Sequence, residues 1–352
     1  MSRFKTMKTS IQSLLFLLAI CVGITTSAQD IHFTQFNMSP LTLNPANTGG
    51  HDGLWRANGI YRNQWNSVTV PFITTGISFD APIAKALGDD NYLAAGLQFF
   101  NDQAGDGNLQ QTAILASLAY HLTLDDNSRT RLSLGMQGGY HSMSIDLANL
   151  YWGDEFFNGG FQPGTTGENL NPKNDYFTAN VGLKWSHMLS DKISYFVGGS
   201  AYNLNQPKLS FLTKANNEGG LALRVGGQLG VIWNLSQQLQ IKPAAMYQTQ
   251  ASAQEIIAGT EVRFVVDANE VAALAPAIFI GGYTRLDDNG SILGTAGIEY
   301  KSFRLGVAYD YMGNKANLGR VSNYGGFEIA LQYIMPNALD RFRNVSYPCA
   351  RF

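Results

Sequence analysis

Five histidines, at 32, 51, 121, 141 and 187, are the first side chains to weigh for metal or acid–base chemistry. None of their spacings suits a shared ligand set, and the two cysteines, 21 and 349, do not complete one. In His141-Ser142-Met143-Ser144 an imidazole adjoins hydroxyls, as acyl transfer would require. On one strand, however, side chains share a face only at even spacing, and the residue two beyond His141 is Met143. Gly105-Asp106-Gly107 opens a phosphate-loop pattern, but Gln110 stands where its third glycine belongs. No G-x-S-x-G elbow occurs. Asp-Asp-Asn at 89–91, 125–127 and 287–289, with Asp102 and Asp106, suits turn chemistry, with loop-bound calcium as the minority alternative. These residues predict no cofactor, no metal and no enzyme.

The elements that hold such residues must first be exported. Lys5 and Lys8 precede an apolar run from Ile11 to Ile24, and Thr26-Ser27-Ala28 places small residues before Gln29. This predicts a signal peptide over 1–28. Its removal takes Cys21 and leaves Cys349 alone, so no internal disulfide is expected. A net charge of −2 without basic clusters argues against nucleic acid as a partner.

Charged residues make up 14% of the chain, well below the roughly 25% of soluble domains. Its 37 glycines come without any apolar run long enough to span as a helix after the leader. An exported, charge-poor, glycine-rich chain of this kind predicts an all-β fold: a transmembrane antiparallel barrel in the bacterial outer membrane, surrounded by lipid.

Alternation supports it. Over 131–141, Leu132, Leu134, Met136 and Tyr140 share one face, and Arg131, Ser133, Gln137 and His141 the other. The stretches 176–186, 221–234 and 302–311 repeat the pattern, and period two over about ten residues is the signature of a spanning strand. Fourteen such segments are expected, beginning near 53, 71, 92, 109, 129, 176, 192, 221, 238, 255, 274, 290, 301 and 325. The barrel then occupies 53–335, between an irregular segment over 29–52 and a tail over 336–352. Odd-numbered links should be long and outside, and even ones mostly short and periplasmic, 80–91 excepted; both termini would be periplasmic. The inner face carries Arg131, Lys184, Arg224, Lys242 and Arg304 with Glu261, Glu299, Glu328 and Asp310, so the lumen either conducts or is cross-linked and filled.

The segment after the leader, QDIHFTQFNMSPLTLNPANTGG, fits none of these patterns. It is rich in aromatic and Asn-Pro groups, where a solvated linker would favour Gly, Ser and charge. It is expected to pack at the periplasmic mouth or inside the lumen. Its residues Phe33, Gln35, Phe36, Ser39, Pro40, Leu41, Leu43, Asn44, Pro45, Ala46 and Gly49 resemble the opening block of the PorP/SprF family of the type IX secretion system. Tyr61-Arg62-Asn63-Gln64-Trp65 is similar to the family's following block, and Gly326-Phe327-Glu328-Ile329-Ala330-Leu331 to its last strand. The tail Pro348-Cys349-Ala350-Arg351-Phe352 departs from the family ending in its Pro-Cys order. The resemblance implies a non-enzymatic partner of secreted cargo or adhesins, gliding adhesins included. Such a protein would receive them through their C-terminal domains, alongside other type IX components. The expected contact surface is the loop over 142–175, with Tyr151, Trp152, Phe156, Phe157 and Phe161; those rings either anchor a partner or fold inward as a constriction. The alternative function is a channel or transporter for small solutes.

Overall fold

A strand with one apolar and one polar face can cross a bilayer only if its edges are paired, which fourteen strands achieve by closing on one another. The computed structural model describes residues 33–336, apart from 67–69, 86–90, 106, 148–149, 151, 158, 163, 165–170, 210–219, 267–274, 287–289 and 312–324. The expected signal peptide, the tail with Cys349, Tyr151 and Asp106 therefore lie outside the described residues.

The barrel strands are β1 (Gly53–Gln64), β2 (Phe72–Lys85), β3 (Tyr92–Ala104), β4 (Leu109–Thr123) and β5 (Thr130–Ser144), then β8 (Lys173–Ser190), β9 (Ile193–Tyr202) and β10 (Arg224–Asn234). They continue through β11 (Leu239–Gln250), β12 (Ala253–Val265), β13 (Ala277–Arg285), β14 (Ile292–Tyr300), β15 (Phe303–Tyr311) and β16 (Gly326–Pro336). The link between β5 and β8 holds a small separate hairpin, β6 (Phe156–Phe157) and β7 (Gly160–Phe161). All fourteen barrel strands pair antiparallel with their neighbours, and β16 closes on β1 in a register that sets Arg62 opposite Glu328. Each expected strand is present, starting within about three residues of its expected position.

The links are less regular than expected. The longest, 145–172 and 203–223, do follow odd-numbered barrel strands, as does 312–325. Yet β11 and β12, also an odd junction, are joined by a two-residue turn at 251–252, where Ala251 adopts positive φ. On the other rim, 266–276 is long, whereas β2 runs on to Lys85 and shortens the supposed exception to 86–91. Turn chemistry and strand extension, not parity, set these lengths.

The two faces are those that alternation assigns. Leu134, Met136 and Tyr140 point out, while Arg131, Ser133 and Gln137 are buried. Along β15 the outward row runs Phe303, Leu305, Val307, Tyr309, Tyr311, about 26 Å of strand at 3.3 Å per residue, which suits a tilted crossing of an apolar band. Aromatic girdles mark both rims: Trp55, Tyr333 and Phe303 at one, and Tyr140 against Phe177 at the other. Among the described residues no helix is long and apolar enough to cross a membrane.

Candidate functional site

The lumen is not empty. Residues 33–52 run through it as short 3-10 and helical turns, Phe36–Met38, Pro40–Leu43 and Pro45–Asn47. Prolines at the first position of two of these turns preset the backbone and cost no hydrogen bond there. Phe33, Phe36, Met38 and Leu41 are all buried. Phe33 and Met38 pack with Ile60, Phe100, Leu115 and Ala330, whereas Phe36 packs with Met246, Ile257, Tyr283 and Leu293. Burying each such side chain contributes roughly 1.5–3 kcal/mol.

A segment without strand partners must find hydrogen bonds elsewhere. Consecutive N–H groups of Thr34 and Gln35 donate to the two oxygens of Glu328, at 2.7 and 2.9 Å. The Thr34 hydroxyl donates to Asp310. Arg62 pairs with both carboxylates, 3.0 Å from Glu328 and 3.1 Å from Asp310. Arg285 extends this knot, 3.4 Å from Asp310 and 2.7 Å from Glu255. The three blocks that carry the family resemblance thus meet at one place, since Thr34–Gln35, Arg62 and Glu328 belong to one block each.

From that knot, near the rim with the longest links, the segment crosses to the other rim. Midway, Asn44 Nδ2 donates to the carbonyls of Leu183 and Gly199, and its Oδ1 accepts from Ala46 N–H. The close approach here requires glycine in the wall. A Cβ on Gly182 would lie 1.9 Å from Asn44 Oδ1, and one on Gly135 2.3 Å from the Pro45 carbonyl carbon. At the far end Arg56 holds Asp80 through two bonds, 3.0 and 2.8 Å, and donates to the Asn47 carbonyl at 3.1 Å. Asp80 also accepts from Gly49 N–H at 2.6 Å. His121 Nε2–H donates to the Thr48 carbonyl at 2.7 Å, with Tyr92 stacked on its ring. Gly53, at this same rim, begins β1 opposite Pro336.

A separate ion-pair group, Arg304 with Glu261 and Glu299, Arg263 with Glu299 and Lys242 with Glu261, cross-braces β11 to β15. Arg304 also lies over Phe279, 3.9 Å from the ring. Arg224 faces inward as well, its guanidinium 4.0 Å from the Tyr202 ring. Two cavities flank the segment, each of about 30 Å³, room for a couple of waters.

Of the expected site residues, Phe33, Gln35, Phe36, Pro40, Asn44 and Pro45 come together in this lumenal segment. Phe156, Phe157 and Phe161 gather far from them, in the hairpin β6–β7, with Phe156 and Phe161 rings 5.0 Å apart and both more than half exposed. All three rings are reached by solvent. Trp152 is half-buried beside them. Buried Glu155 organises the hairpin, accepting from the N–H groups of Trp152 and Gly164 at 3.1 and 2.8 Å. His141 stacks on Tyr176, bonds the Thr178 hydroxyl at 3.0 Å and lies 3.4 Å from Gln111 Nε2. Asp125 accepts from Thr130 N–H, a turn role. Among the described residues no three His, Cys, Asp or Glu side chains gather as a metal site. Composition did not single out Arg56, Asp80, Arg285 and Glu255; their inward parity on alternating strands was the available signal.

The family model described as type IX secretion system membrane protein PorP/SprF matches residues 25–333. The chain belongs to this family. The PorP/SprF assignment and the closed barrel together make it a type IX secretion membrane protein of the outer membrane. No curated protein matches it by sequence. Among solved structures, the PorP/SprF chain is similar to the toluene transporter TbuX of Ralstonia pickettii at 10% identity and TM-score 0.45, covering 88% of this chain and 96% of that one. It is similar also to the monoaromatic hydrocarbon channel CymD at 9% identity and TM-score 0.49, covering 89% and 95%.

Proposed function

We propose that this PorP/SprF protein is a binding barrel and not an enzyme. It receives a secreted cargo protein or adhesin, through that partner's C-terminal domain, and supports its export or surface anchoring together with other type IX components. The observation that carries this reading is the contrast between a filled lumen and an aromatic hairpin held in solvent. Exposed rings preorganised by Glu155 suit an interface anchor, because a rigid aromatic surrenders little entropy on binding. In the proposed orientation the rim with the longest links faces outward.

The test is recovery of secreted proteins with the tagged full-length chain from its native cells. Removing residues 147–162 should abolish that recovery while leaving a heat-modifiable barrel. Undiminished recovery after the deletion would remove the loop from the interface. A wild-type barrel that conducts small solutes freely and recovers no protein would support the channel alternative.

A further inference from the structure

The barrel wall is uneven at the rim with the longest links. β8 pairs with β5 along its whole length, up to Ser144 opposite Lys173. Its pairing with the other neighbour, β9, extends only as far as Val181 opposite Ala201. Residues 173–180 of β8 therefore stand as a sheet edge above the end of β9.

Strand geometry fixes which backbone groups face that edge, since N–H and C=O of alternate residues point to the same side. Ala179 accepts from Leu204 N–H at 2.9 Å on the open side, and Pro172 accepts from Ile145 N–H on the β5 side. Odd residues thus face the edge. The Asn205 side chain already treats it as a strand partner would: its Oδ1 accepts from Ala179 N–H at 3.0 Å and its Nδ2 donates to the Phe177 carbonyl at 2.7 Å. One carboxamide there imitates one peptide unit. Beyond it, among the described residues, no hydrogen bond reaches the N–H or C=O of Asp175 from that side. Flat exposed edges are otherwise covered or blunted, because they template strand addition.

We propose that the β8 edge over Lys173–Phe177 takes an extended strand of a secreted polypeptide, which displaces Asn205 from Phe177 and continues the sheet outward. For the source of that strand the proposal rests on the function proposed above. The chemistry of the occupant follows from the outward row. Phe177, 68% exposed and beside Tyr140, asks for an apolar or aromatic neighbour, and the Lys173–Asp175 ion pair at 3.2 Å asks for a polar or charged one. The site is continuous with the loop that carries Phe156, Phe157 and Phe161, because that loop ends where β8 starts.

The probe is the secreted protein recovered with the wild-type chain in the experiment above, added to the full-length barrel in detergent. Amide protons of Asp175 and Phe177 should exchange at least about tenfold more slowly in the complex, as new backbone hydrogen bonds demand. Asp175→Pro removes a donor that faces away from β5, so the β5–β8 ladder survives, yet recovery should fall about tenfold. Asn205→Ala, which clears the surrogate, should raise it. The edge is overturned if exchange at 175 and 177 is unchanged and Asp175→Pro recovers the protein fully while deletion of 147–162 abolishes recovery; the docking reading then stands. If wild type recovers no secreted protein, both readings fall. If Asp175→Cys chains in a Cys349→Ser background cross-link to one another with recovery unchanged, the edge belongs to a second copy and the proposal is overturned.

Discussion

Two segments of this PorP/SprF protein lie outside the barrel strands, carry aromatic rings and have opposite fates. Residues 33–47 and 152–161 are both aromatic, irregular and punctuated by turn residues. Phe33 and Phe36 are 3% and 6% exposed, whereas Phe156 and Phe161 are 54% and 52% exposed. The difference lies in where each main chain finds its hydrogen bonds. The lumenal segment draws on the wall, through Glu328, Asp80 and the carbonyls of Leu183 and Gly199. The loop satisfies itself, through Glu155 and the pairing of Phe156 with Phe161. A segment anchored by distant groups is buried with them; one closed on itself can stand free.

The comparison breaks most forcefully at the knot. Arg62→Met leaves Glu328 and Asp310 buried without their shared cation, and should cost about 3–5 kcal/mol. Denaturant unfolding in lipid vesicles would register it, together with faster exchange of the Thr34 and Gln35 amides. A loss below about 1 kcal/mol would mean that the knot does not anchor the segment. Gly135→Val is gentler and more local. Its Cβ would collide with Pro45, so residues 44–46 should shift at a cost of about 1–3 kcal/mol while the strand pairing holds. Exchange at Ala46 N–H reads that displacement, and an unmoved Ala46 would contradict the close approach. The smallest effect on stability is expected in the loop. Phe156→Ser with Phe161→Ser should change unfolding by no more than about 0.5 kcal/mol per site, because solvent already reaches both rings. The same pair should nevertheless impair recovery of the secreted partner, which separates a binding surface from a packing surface.

Much of this was legible beforehand, for identifiable reasons. Whether Leu134 faces lipid or Gln137 faces the lumen follows from period two, a local property that each strand states independently of its partners. Strand number and the inward orientation of Arg304 and Glu299 follow in the same way. The links were read less well, because a two-residue turn at 251–252 and the extension of β2 to Lys85 depend on how neighbouring strands pair. The loop aromatics stand as a group in the sequence, yet the hairpin that carries them is not legible there, since Glu155 reads as one more surface acid until its two N–H partners are seen.

By itself, then, the sequence determined a charge-poor alternating chain that had to close into a barrel, the faces of its strands, and the blocks that mark it as PorP/SprF. Only the tertiary structure decided that Phe33 to Asn47 fill the lumen, that Arg62 and Glu328 meet around the Thr34 and Gln35 amides, and that β8 outruns β9 to leave an edge. Alternation is written into neighbours two residues apart, whereas these features join groups such as Thr34 and Glu328, 294 residues apart. Nothing local encodes such a pairing. It exists because a closed barrel brings buried carboxylates and unsatisfied N–H groups into one low-dielectric space, where leaving either alone would cost more than bringing them together.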